Sequence, residues 1–376
     1  MDKEPVVSII IPFYNRLAMT VDCVKSIAAH TPVLTGDGRP WYEIILVDDA
    51  SDTDDILHLF GRVAPVTLIR NHRNLGFAKS CNRGAAAARG KYLLFLNNDT
   101  IALDNWFTSL VHAMETEPET GIAGSKLLYS DGTVQHAGVV FNEEGMPFHI
   151  YQGYPSSFHG VNKYREFQAV TGACFIIDTG LFRRLSGFDE RYLNGLEDID
   201  LCLRVRQAGR KVYYCPQSCL YHLDSQTRKI DLTTQRGNIV LFKNIWGGKV
   251  EPDHRFYYQE DFSIIENLPG EFKEIRKLKE LEAPPLTAIW GAGAEGRNAV
   301  ERLRWSGIEP DFFVDNDKKK RGIMFEGYPV KGPEDIIDYL KNGWKVYVLI
   351  ASMWRKEIEK QLADMGLKKG EFFWTG

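Results

Sequence analysis

Hydrophobic residues in the first hundred positions follow two alternating patterns. The run VVSIIIP at residues 6–12 is almost continuously apolar and β-branched, which predicts a strand buried on both faces of a parallel sheet. Residues 19–30 then place apolar side chains at helical spacing. The same two patterns predict strands at 43–49, 66–71 and 91–99, and an alanine-rich helix over 77–90 that ends at Gly90. This alternation is typical of a doubly wound parallel α/β sheet.

Polar residues follow three of the predicted strands at the point where each strand ends. These residues are Tyr14-Asn15, Asp48-Asp49 and Asn97-Asn98-Asp99. Ligands of open α/β sheets bind at the carboxyl ends of the strands, so we expect these side chains to share one site.

The pattern changes twice further along the chain. From about residue 120 to 245 it predicts short aromatic-rich strands, loops and two helices, and residues 246–284 are charged and helical in tendency. A second β-α-β pattern begins after Pro284-Pro285. The sequence therefore predicts a domain over 1–245, a helical linker over 246–284 and a small α/β domain over 285–376.

Composition and charge narrow the class of protein. The chain of 376 residues is 44% hydrophobic and 26% charged, as ordinary globular proteins are. Its 46 basic and 50 acidic residues give a net charge of -4, which argues against a nucleic-acid partner. No apolar run reaches the roughly 18–20 residues that span a bilayer, and the start lacks a signal-peptide pattern. Six cysteines, interpreted as reduced thiols, complete the expectation of a cytoplasmic protein.

Two of the polar strand ends are candidates for chemistry. The segment VDDASD at 47–52 places two carboxylates side by side, which is costly unless they accept hydrogen bonds or face a ligand. Helix capping is the alternative explanation for these acids. The triplet Asn97-Asn98-Asp99 offers oxygen ligands for Mg²⁺ or Mn²⁺, but it is also typical of a turn.

A third acidic cluster opens a predicted helix over 196–209, which ends at Gly209. Its members are Glu197, Asp198 and Asp200. The helix dipole favours anions at this end, and capping explains any single acid. Three acids exceed what a cap requires, so we expect at least one of them to face a site.

Five sequence blocks together resemble a known enzyme family. The blocks are SIIIPFYNR, EIILVDDASDTDD, NLGFAKSCNRGAAAARGKYLLFLNND, TGACFIID with GFDERY, and LEDIDLCLRVRQAG followed by LYH. In this order and spacing they resemble the family 2 inverting glycosyltransferases, which have the nucleotide-sugar-binding GT-A fold. The resemblance covers roughly residues 5–245 and is strongest to bacterial rhamnosyl- and galactofuranosyltransferases of surface polysaccharides. It implies transfer of a sugar from a nucleotide-diphosphate donor to a hydroxyl of a saccharide, lipid-linked saccharide or protein.

The resemblance also implies roles for individual residues. Asp198 matches the catalytic base, Glu197 is expected toward the acceptor, and Asp99 and His222 match the positions that bind Mn²⁺ or Mg²⁺. The nucleotide-sugar site is implied at Pro12, Tyr14, Asn15, Asp49, Gly76, Phe77, Asn82, Asn98, Thr171, Gly172 and Ala173. Asn97 stands where the family has a further acid, so we expect the ion to arrive with the donor diphosphate. One base in line with the leaving group would invert the anomeric centre in a single displacement.

The segment CPQSCLYH at 215–222 allows other interpretations of His222. Cys215 and Cys219, together with Cys202, could hold zinc beside it, although this spacing is irregular for a zinc site. His222 could also be a core histidine without a metal role. We expect small buried cysteines here rather than zinc ligands.

The glycines of GAGAEG follow a predicted strand and open a helix, and Asp315 ends the next strand. This context resembles the dinucleotide-binding half of a Rossmann fold. Gly291, Gly293, Gly296 and Asp315 are therefore candidate nucleotide-binding residues. The unit has no room for a substrate domain, so a scaffold or interaction module is the favoured interpretation. A third interpretation is that this unit has oxidoreductase or epimerase activity.

Alternatives also stay open for the function and partners of the whole chain. A catalytically silent GT-A fold could organise a glycan-assembly complex or a homo-oligomer. Residues 237–250 mix apolar and aromatic residues with lysines, as interfacial helices do. They predict either peripheral contact with the inner face of a membrane or a helix that packs the two domains together.

Overall fold

The computed structural model describes residues 4–52, 66–223, 232–262, 270–279, 284–352, 354–368 and 370–374. The chain divides into two units, one formed by 1–157 with 161–253 and the other by 158–160 with 254–376. Each unit has its own hydrophobic core. Within the described ranges, no helix is both long enough and apolar enough to cross a membrane.

The first unit alternates strands and helices along the chain. Its strands are β1 (Val7–Phe13), β2 (Tyr42–Asp48), β3 (Val66–Arg70), β4 (Tyr92–Leu96), β5 (Thr100–Ala102), β6 (Thr120–Leu128), β7 (Val134–His136), β8 (Val139–Phe141), β9 (Pro147–His149), β10 (Arg165–Phe167), β11 (Cys174–Asp178) and β12 (Lys211–His222). Its helices are α1 (Leu17–His30), α2 (Phe77–Ala87), α3 (Trp106–Thr116), α4 (Thr179–Arg184), α5 (Glu197–Gln207) and α6 (Leu232–Trp246).

The large sheet of this unit is half parallel and half mixed. Its strand order is β10-β12-β6-β11-β4-β1-β2-β3, with β5 beside β12 and β7 beside β6. Strands β1 to β4 pair in parallel, as the alternating pattern predicts. Strand β11 runs antiparallel to both β4 and β6, and the sequence pattern did not predict this mixed half.

Burial explains why β1 lies inside the sheet. All seven of its residues are buried, because β2 and β4 flank it and helices cover the sheet. Val24 and Ile27 of α1 and Trp106 of α3 pack in the same core as Ile9 and Ile11. Full burial of one such side chain contributes roughly 1.5–3 kcal/mol, so this layer holds the carboxyl ends of the parallel strands in place.

Two details of the predicted elements differ in the structure. The helix predicted over 77–90 ends at Ala87, because Ala88 takes an extended conformation (φ -70°, ψ 139°) that leads the chain into β4. Gly90 therefore does not end the helix. It lies so close to β1 that a Cβ atom there would be 2.5 Å from the Ser8 nitrogen. Helix α3 was not predicted.

The second unit forms a smaller α/β sheet. Its strands are β13 (Leu286–Trp290), β14 (Phe312–Val314), β15 (Met324–Phe325), β16 (Tyr328–Lys331), β17 (Val346–Ile350) and β18 (Phe372–Trp374). Its helices are α7 (His254–Phe262), α8 (Gly270–Lys279), α9 (Ala294–Trp305), α10 (Pro333–Lys341) and α11 (Arg355–Asp364). The order β15-β16-β14-β13-β17-β18 places the first strand at the centre, as in half of a Rossmann fold.

The segment predicted as a helical linker contributes helices to this second unit. Within residues 246–284 the structure has α7 and α8, while 263–269 and 280–283 lie outside the described residues. The predicted boundaries at 245 and 284 stay predictions.

Candidate active site

A cavity of about 680 Å³ opens at the carboxyl ends of the parallel strands in the first unit. This volume is within the range of small-molecule sites, roughly 300–1,000 Å³. The predicted residues that line it are Pro12, Tyr14, Asp49, Gly76, Phe77, Asn98, Asp99, Thr171, Gly172, Ala173, Glu197, Asp198 and His222. The topology therefore brings together segments that are far apart in the sequence.

Asp49 holds one wall of the cavity in place. Its Oδ1 accepts from the Leu75 N–H and the Asn71 side chain, each at 2.7 Å, and its Oδ2 accepts from the Gly76 N–H at 2.9 Å. The neighbouring Asp48 accepts a different backbone N–H. Separate sets of donors thus explain how two adjacent buried carboxylates coexist.

Asp198 lies at the start of α5 and lines the cavity. Its Oδ2 accepts from the Gly172 N–H at 2.6 Å, and its Oδ1 accepts from the Ile199 N–H at 2.8 Å. A Cβ atom at position 172 would be 2.9 Å from the Asp198 Cβ, so only glycine allows this approach. Burial raises the pKa of Asp198, and the two N–H donors only partly oppose this effect.

The other two acids of this cluster have different partners. Glu197 is 5% exposed, and its Oε2 accepts from the Gly195 N–H at 2.5 Å. Asp200 accepts from Arg204 Nε at 2.7 Å and from Trp246 Nε1 at 2.9 Å, which joins α5 to α6. Glu197 and Asp198 therefore line the cavity, whereas Asp200 connects two helices.

The loop before α5 is held by a residue that sequence reasoning missed. Asn238 of α6 is 6% exposed, accepts from the Leu193 N–H, and donates to the Leu193 and Gly195 carbonyls. Between them Asn194 has a φ of 54°, and its Oδ1 accepts from the Phe77 N–H at 2.9 Å. This loop therefore connects the start of α5, where Asp198 lies, to the segment at the start of α2.

The predicted metal residues Asp99 and His222 face each other. Pairing of β12 with β5 puts His222 opposite Thr100, and Asp99 Oδ1 is 3.1 Å from His222 Nε2. Asn97 donates to the same Nε2 at 3.2 Å, whereas the Asn98 amide donates to a threonine of α1. Asn97 and Asp99, but not Asn98, therefore contact His222.

A second missed residue, Gln135 of β7, determines which nitrogen of His222 is protonated. Gln135 Nε2 donates to the His222 carbonyl, so its Oε1 is the acceptor that lies 2.5 Å from His222 Nδ1. The proton is then on Nδ1, and the Nε2 lone pair points toward Asp99. An imidazole lone pair beside a carboxylate suits a divalent cation, and this orientation by an outer partner is common among metal-binding histidines.

The described residues supply few metal ligands. Among these residues there is no group of three or more histidine, cysteine or acidic side chains that could hold an ion. Asp99 and His222 thus fit an ion that takes its remaining ligands from a substrate diphosphate, as magnesium commonly does. The same finding leaves the zinc interpretation of Cys202, Cys215 and Cys219 without support.

Two predicted residues do not line the cavity. The Asn15 side chain bonds the Asp52 N–H and carboxylate, each at 3.0 Å. The Asn82 amide donates to the Phe188 carbonyl at 2.9 Å and accepts from the Phe188 N–H at 2.9 Å. Both asparagines therefore position neighbouring loops rather than face the cavity.

One cavity wall comes from a hairpin within 120–245, where the sequence predicts short strands and loops without individual bounds. The hairpin of β8 and β9 contributes Val139, Pro147, Phe148 and His149. The hairpin is short and its strands are only three residues each, so its alternation carries little signal.

Of the four candidate residues of the second unit, Gly291 and Gly293 follow β13, Gly296 lies in the first turn of α9 and Asp315 follows β14. Asp315 accepts from the Ala292 N–H at 2.9 Å and from Lys320 Nζ at 3.0 Å. Burial raises the pKa of Asp315, but these donors and a further backbone N–H outweigh it and lower the pKa. A Cβ atom at Gly296 would collide with the Gly291 carbonyl, whereas one at Gly293 would meet no atom within 4 Å. Nucleotide binding here stays a prediction.

Comparison with family models identifies the first unit. Residues 8–185 match the model "Glycosyl transferase family 2", and residues 287–373 match the model "C2185-like, N-terminal". The chain contains a family 2 glycosyltransferase domain. The resemblance to the family 2 glycosyltransferases is therefore confirmed.

Curated relatives match part of this chain over part of their own length. The uncharacterized protein y4gI of Sinorhizobium fredii is 33% identical over 246 residues, which cover 63% of this chain and 26% of y4gI. The O-antigen biosynthesis protein RfbC of Myxococcus xanthus is 34% identical over 236 residues, which cover 60% of this chain and 18% of RfbC. The chain thus spans only about a quarter or less of either relative.

A solved structure of similar fold is that of GalNAc-T7 with UDP, GalNAc and Mn²⁺. It superposes with a TM-score of 0.51 at 19% identity and covers 74% of this chain and 55% of its own. At this identity the likeness concerns the fold alone. The glycosyltransferase domain has the GT-A fold that the resemblance implies.

Proposed function

We propose that this chain transfers a sugar from a nucleotide-diphosphate donor to a hydroxyl of a saccharide, lipid-linked saccharide or protein, with inversion at the anomeric carbon. The observation that carries the proposal is that Asp99, His222 and Asp198 line a single cavity. Transfer needs charge stabilisation at the leaving group and a base at the attacking hydroxyl, and these side chains supply both. The relative RfbC acts in O-antigen biosynthesis, which supports a role in bacterial surface glycans.

Asp198 is the general base of the proposed reaction. Its two oxygens are held by backbone donors, so the carboxylate has one orientation toward the cavity. Because burial raises its pKa, Asp198 is a stronger proton acceptor than an ordinary aspartate. It takes the proton of the acceptor hydroxyl as that oxygen attacks the anomeric carbon, with no covalent intermediate.

Asp99 and His222 would hold a divalent cation, Mn²⁺ or Mg²⁺. When bound, such an ion supplies positive charge that stabilises the leaving diphosphate. Gln135 keeps the His222 proton on Nδ1, and the Asn97 amide donates to the Nε2 lone pair that an ion would take and adds no charge. We therefore expect weak metal affinity in the absence of the donor and stronger affinity with a nucleoside diphosphate present.

Donor turnover tests the proposal. The full chain is incubated with Mn²⁺ and a panel of UDP, GDP and dTDP sugars, and release of the nucleoside diphosphate is measured. We expect one donor to be hydrolysed slowly and an acceptor to accelerate release. A catalytically silent scaffold would bind a donor, seen as a higher melting temperature, without any release above that of Asp198→Asn.

The stereochemistry of the product tests inversion separately. NMR of the anomeric proton, recorded early in the reaction, distinguishes the two configurations. Retention of the donor configuration would refute the single displacement with Asp198 as base, even if transfer itself is observed.

A further inference from the structure

His149 has a fixed position relative to the base Asp198. It ends β9 and pairs with Val139 of β8, and the Val139 N–H donates to the Ala169 carbonyl at 3.0 Å. Ala169 leads into the loop whose Gly172 N–H holds Asp198. Backbone pairing thus determines the register of the hairpin against the loop that carries the base.

The His149 ring presents one nitrogen to the cavity. Its Nδ1 lies 3.1 Å from the Gln135 carbonyl, and a carbonyl can only accept, so Nδ1 carries the proton. No described residue forms a hydrogen bond with Nε2, and His149 lines the cavity that contains Asp198. The ring packs edge-on against buried His136, with 4.8 Å between ring centres, which prevents it from turning.

A neutral ring with a proton on Nδ1 has an acceptor at Nε2. Burial lowers the pKa of His149, and the His222 imidazole adds to this effect, against the Gln135 carbonyl and the Asp198 charge, so the neutral form is favoured near pH 7. The same cavity contains the acids Glu197 and Asp198, whose carboxylates accept hydrogen bonds rather than donate them. Since no described residue donates to Nε2, a bound ligand can supply the donor.

We propose that His149 Nε2 accepts a hydrogen bond from a sugar hydroxyl beside Asp198 and thereby contributes to sugar specificity. The inference depends on the proposed glycosyltransferase function and deepens it by assigning a substrate contact in the β8–β9 hairpin. The hydroxyl belongs either to the transferred sugar or to the acceptor. A buried nitrogen that accepts a hydrogen bond from a hydroxyl discriminates strongly between sugars, because a sugar without that hydroxyl leaves the nitrogen unpaired.

Two reciprocal substitutions separate a substrate contact from a structural role. His149→Asn keeps a donor near the Nδ1 position for the Gln135 carbonyl but removes the group at Nε2. His149→Gln keeps an acceptor near the Nε2 position but loses the Gln135 bond. His112→Phe, at an exposed position on α3, is the matched control.

KM is measured for the donor by hydrolysis without acceptor, and for the acceptor at saturating donor. We expect His149→Asn to raise one of these KM values about 10- to 100-fold. In His149→Gln the same KM should lie close to that of the unaltered protein. The KM that changes identifies whether the hydroxyl belongs to donor or acceptor. The deoxy analogue that lacks this hydroxyl should bind the unaltered protein and His149→Asn equally well.

Three results would overturn the assignment. They are unchanged KM values in both variants, normal values in His149→Asn with a loss in His149→Gln, and an equal loss in both. The last two would assign the effect to packing of the ring or to the Gln135 bond. Absence of turnover with every donor in the unaltered protein would refute the proposed function itself, and this inference with it.

Discussion

Replacing Asp198 by asparagine tests the base assignment, and the structure shows that the substitution also affects stability. Both carboxylate oxygens accept a backbone N–H, from Gly172 at 2.6 Å and from Ile199 at 2.8 Å. An asparagine has only one acceptor oxygen, so either orientation directs its NH₂ group at an N–H donor. One buried donor then loses its partner, which costs about 1–3 kcal/mol of unfolding free energy.

The effect of Asp198→Asn on catalysis should be much larger than its effect on binding. Loss of a general base lowers kcat by about 10²- to 10⁴-fold. Donor affinity should change little, because Asp99, His222 and the segment at Gly76 and Phe77 are unaltered. A drop in kcat with an almost constant donor KM is therefore the expected signature.

The pH dependence gives an independent readout of the same residue. The carboxylate must be deprotonated to accept a proton, so kcat/KM should fall as pH decreases through the pKa of Asp198. Because burial raises that pKa above its ordinary value of 3.8, the fall should begin at a higher pH than for an exposed aspartate. This decrease of kcat/KM at low pH should be absent from the residual activity of Asp198→Asn.

The assay combines urea denaturation with steady-state kinetics on the unaltered protein, Asp198→Asn and a control. Asp22→Asn is a suitable control, because the Asp22 side chain is 62% exposed on α1. A folded Asp198→Asn variant with kcat within about threefold of the unaltered protein would refute the assignment of Asp198 as base. A variant that is unfolded at the assay temperature is examined at lower temperature, where the predicted stability loss is tolerated.

Three further outcomes follow from the contacts. Gln135→Leu should weaken Mn²⁺ binding about 10- to 100-fold, because His222 loses the hydrogen-bond acceptor that orients its ring. EPR titrations with a nucleoside diphosphate present measure this affinity, and an unchanged affinity would contradict the prediction. Asn238→Ala removes three hydrogen bonds to the loop before α5 and should lower the unfolding free energy in urea by about 1–3 kcal/mol. Gly296→Ala should lower the melting temperature by several degrees, whereas Gly293→Ala should not; equal effects would contradict the described packing.

Local patterns and one topological rule predict much of this fold. The β-branched run in β1 and the polar residues at strand ends were sufficient to expect Asp49 and Asp99 in one site, because parallel strands end at one edge. Helix α3 was overlooked although its signal was present. Trp106, Leu110 and Met114 recur at helical spacing and are buried.

Residues that act through a neighbour could not be predicted from one sequence. Gln135 and Asn238 have ordinary amide side chains, and each matters only because tertiary structure places it beside a residue more than 40 positions away. Asn15 and Asn82 show the converse, since they match family positions but bond neighbouring loops. An amide has no periodicity or motif that distinguishes these cases before the fold is known.

The two ends of the proposed reaction are connected by the backbone of two adjacent residues, Gly172 and Ala173. The Ala173 carbonyl accepts from the Asn97 N–H at 2.9 Å, while the Gly172 N–H donates to Asp198. The turn that carries Asp99 and the carboxylate of the base are therefore both bonded to one short loop. A shift of this loop would move the leaving-group side and the base together. Their spacing thus depends on the backbone of 172–173, and position 172 admits only glycine because a Cβ atom there would be 2.9 Å from the Asp198 Cβ.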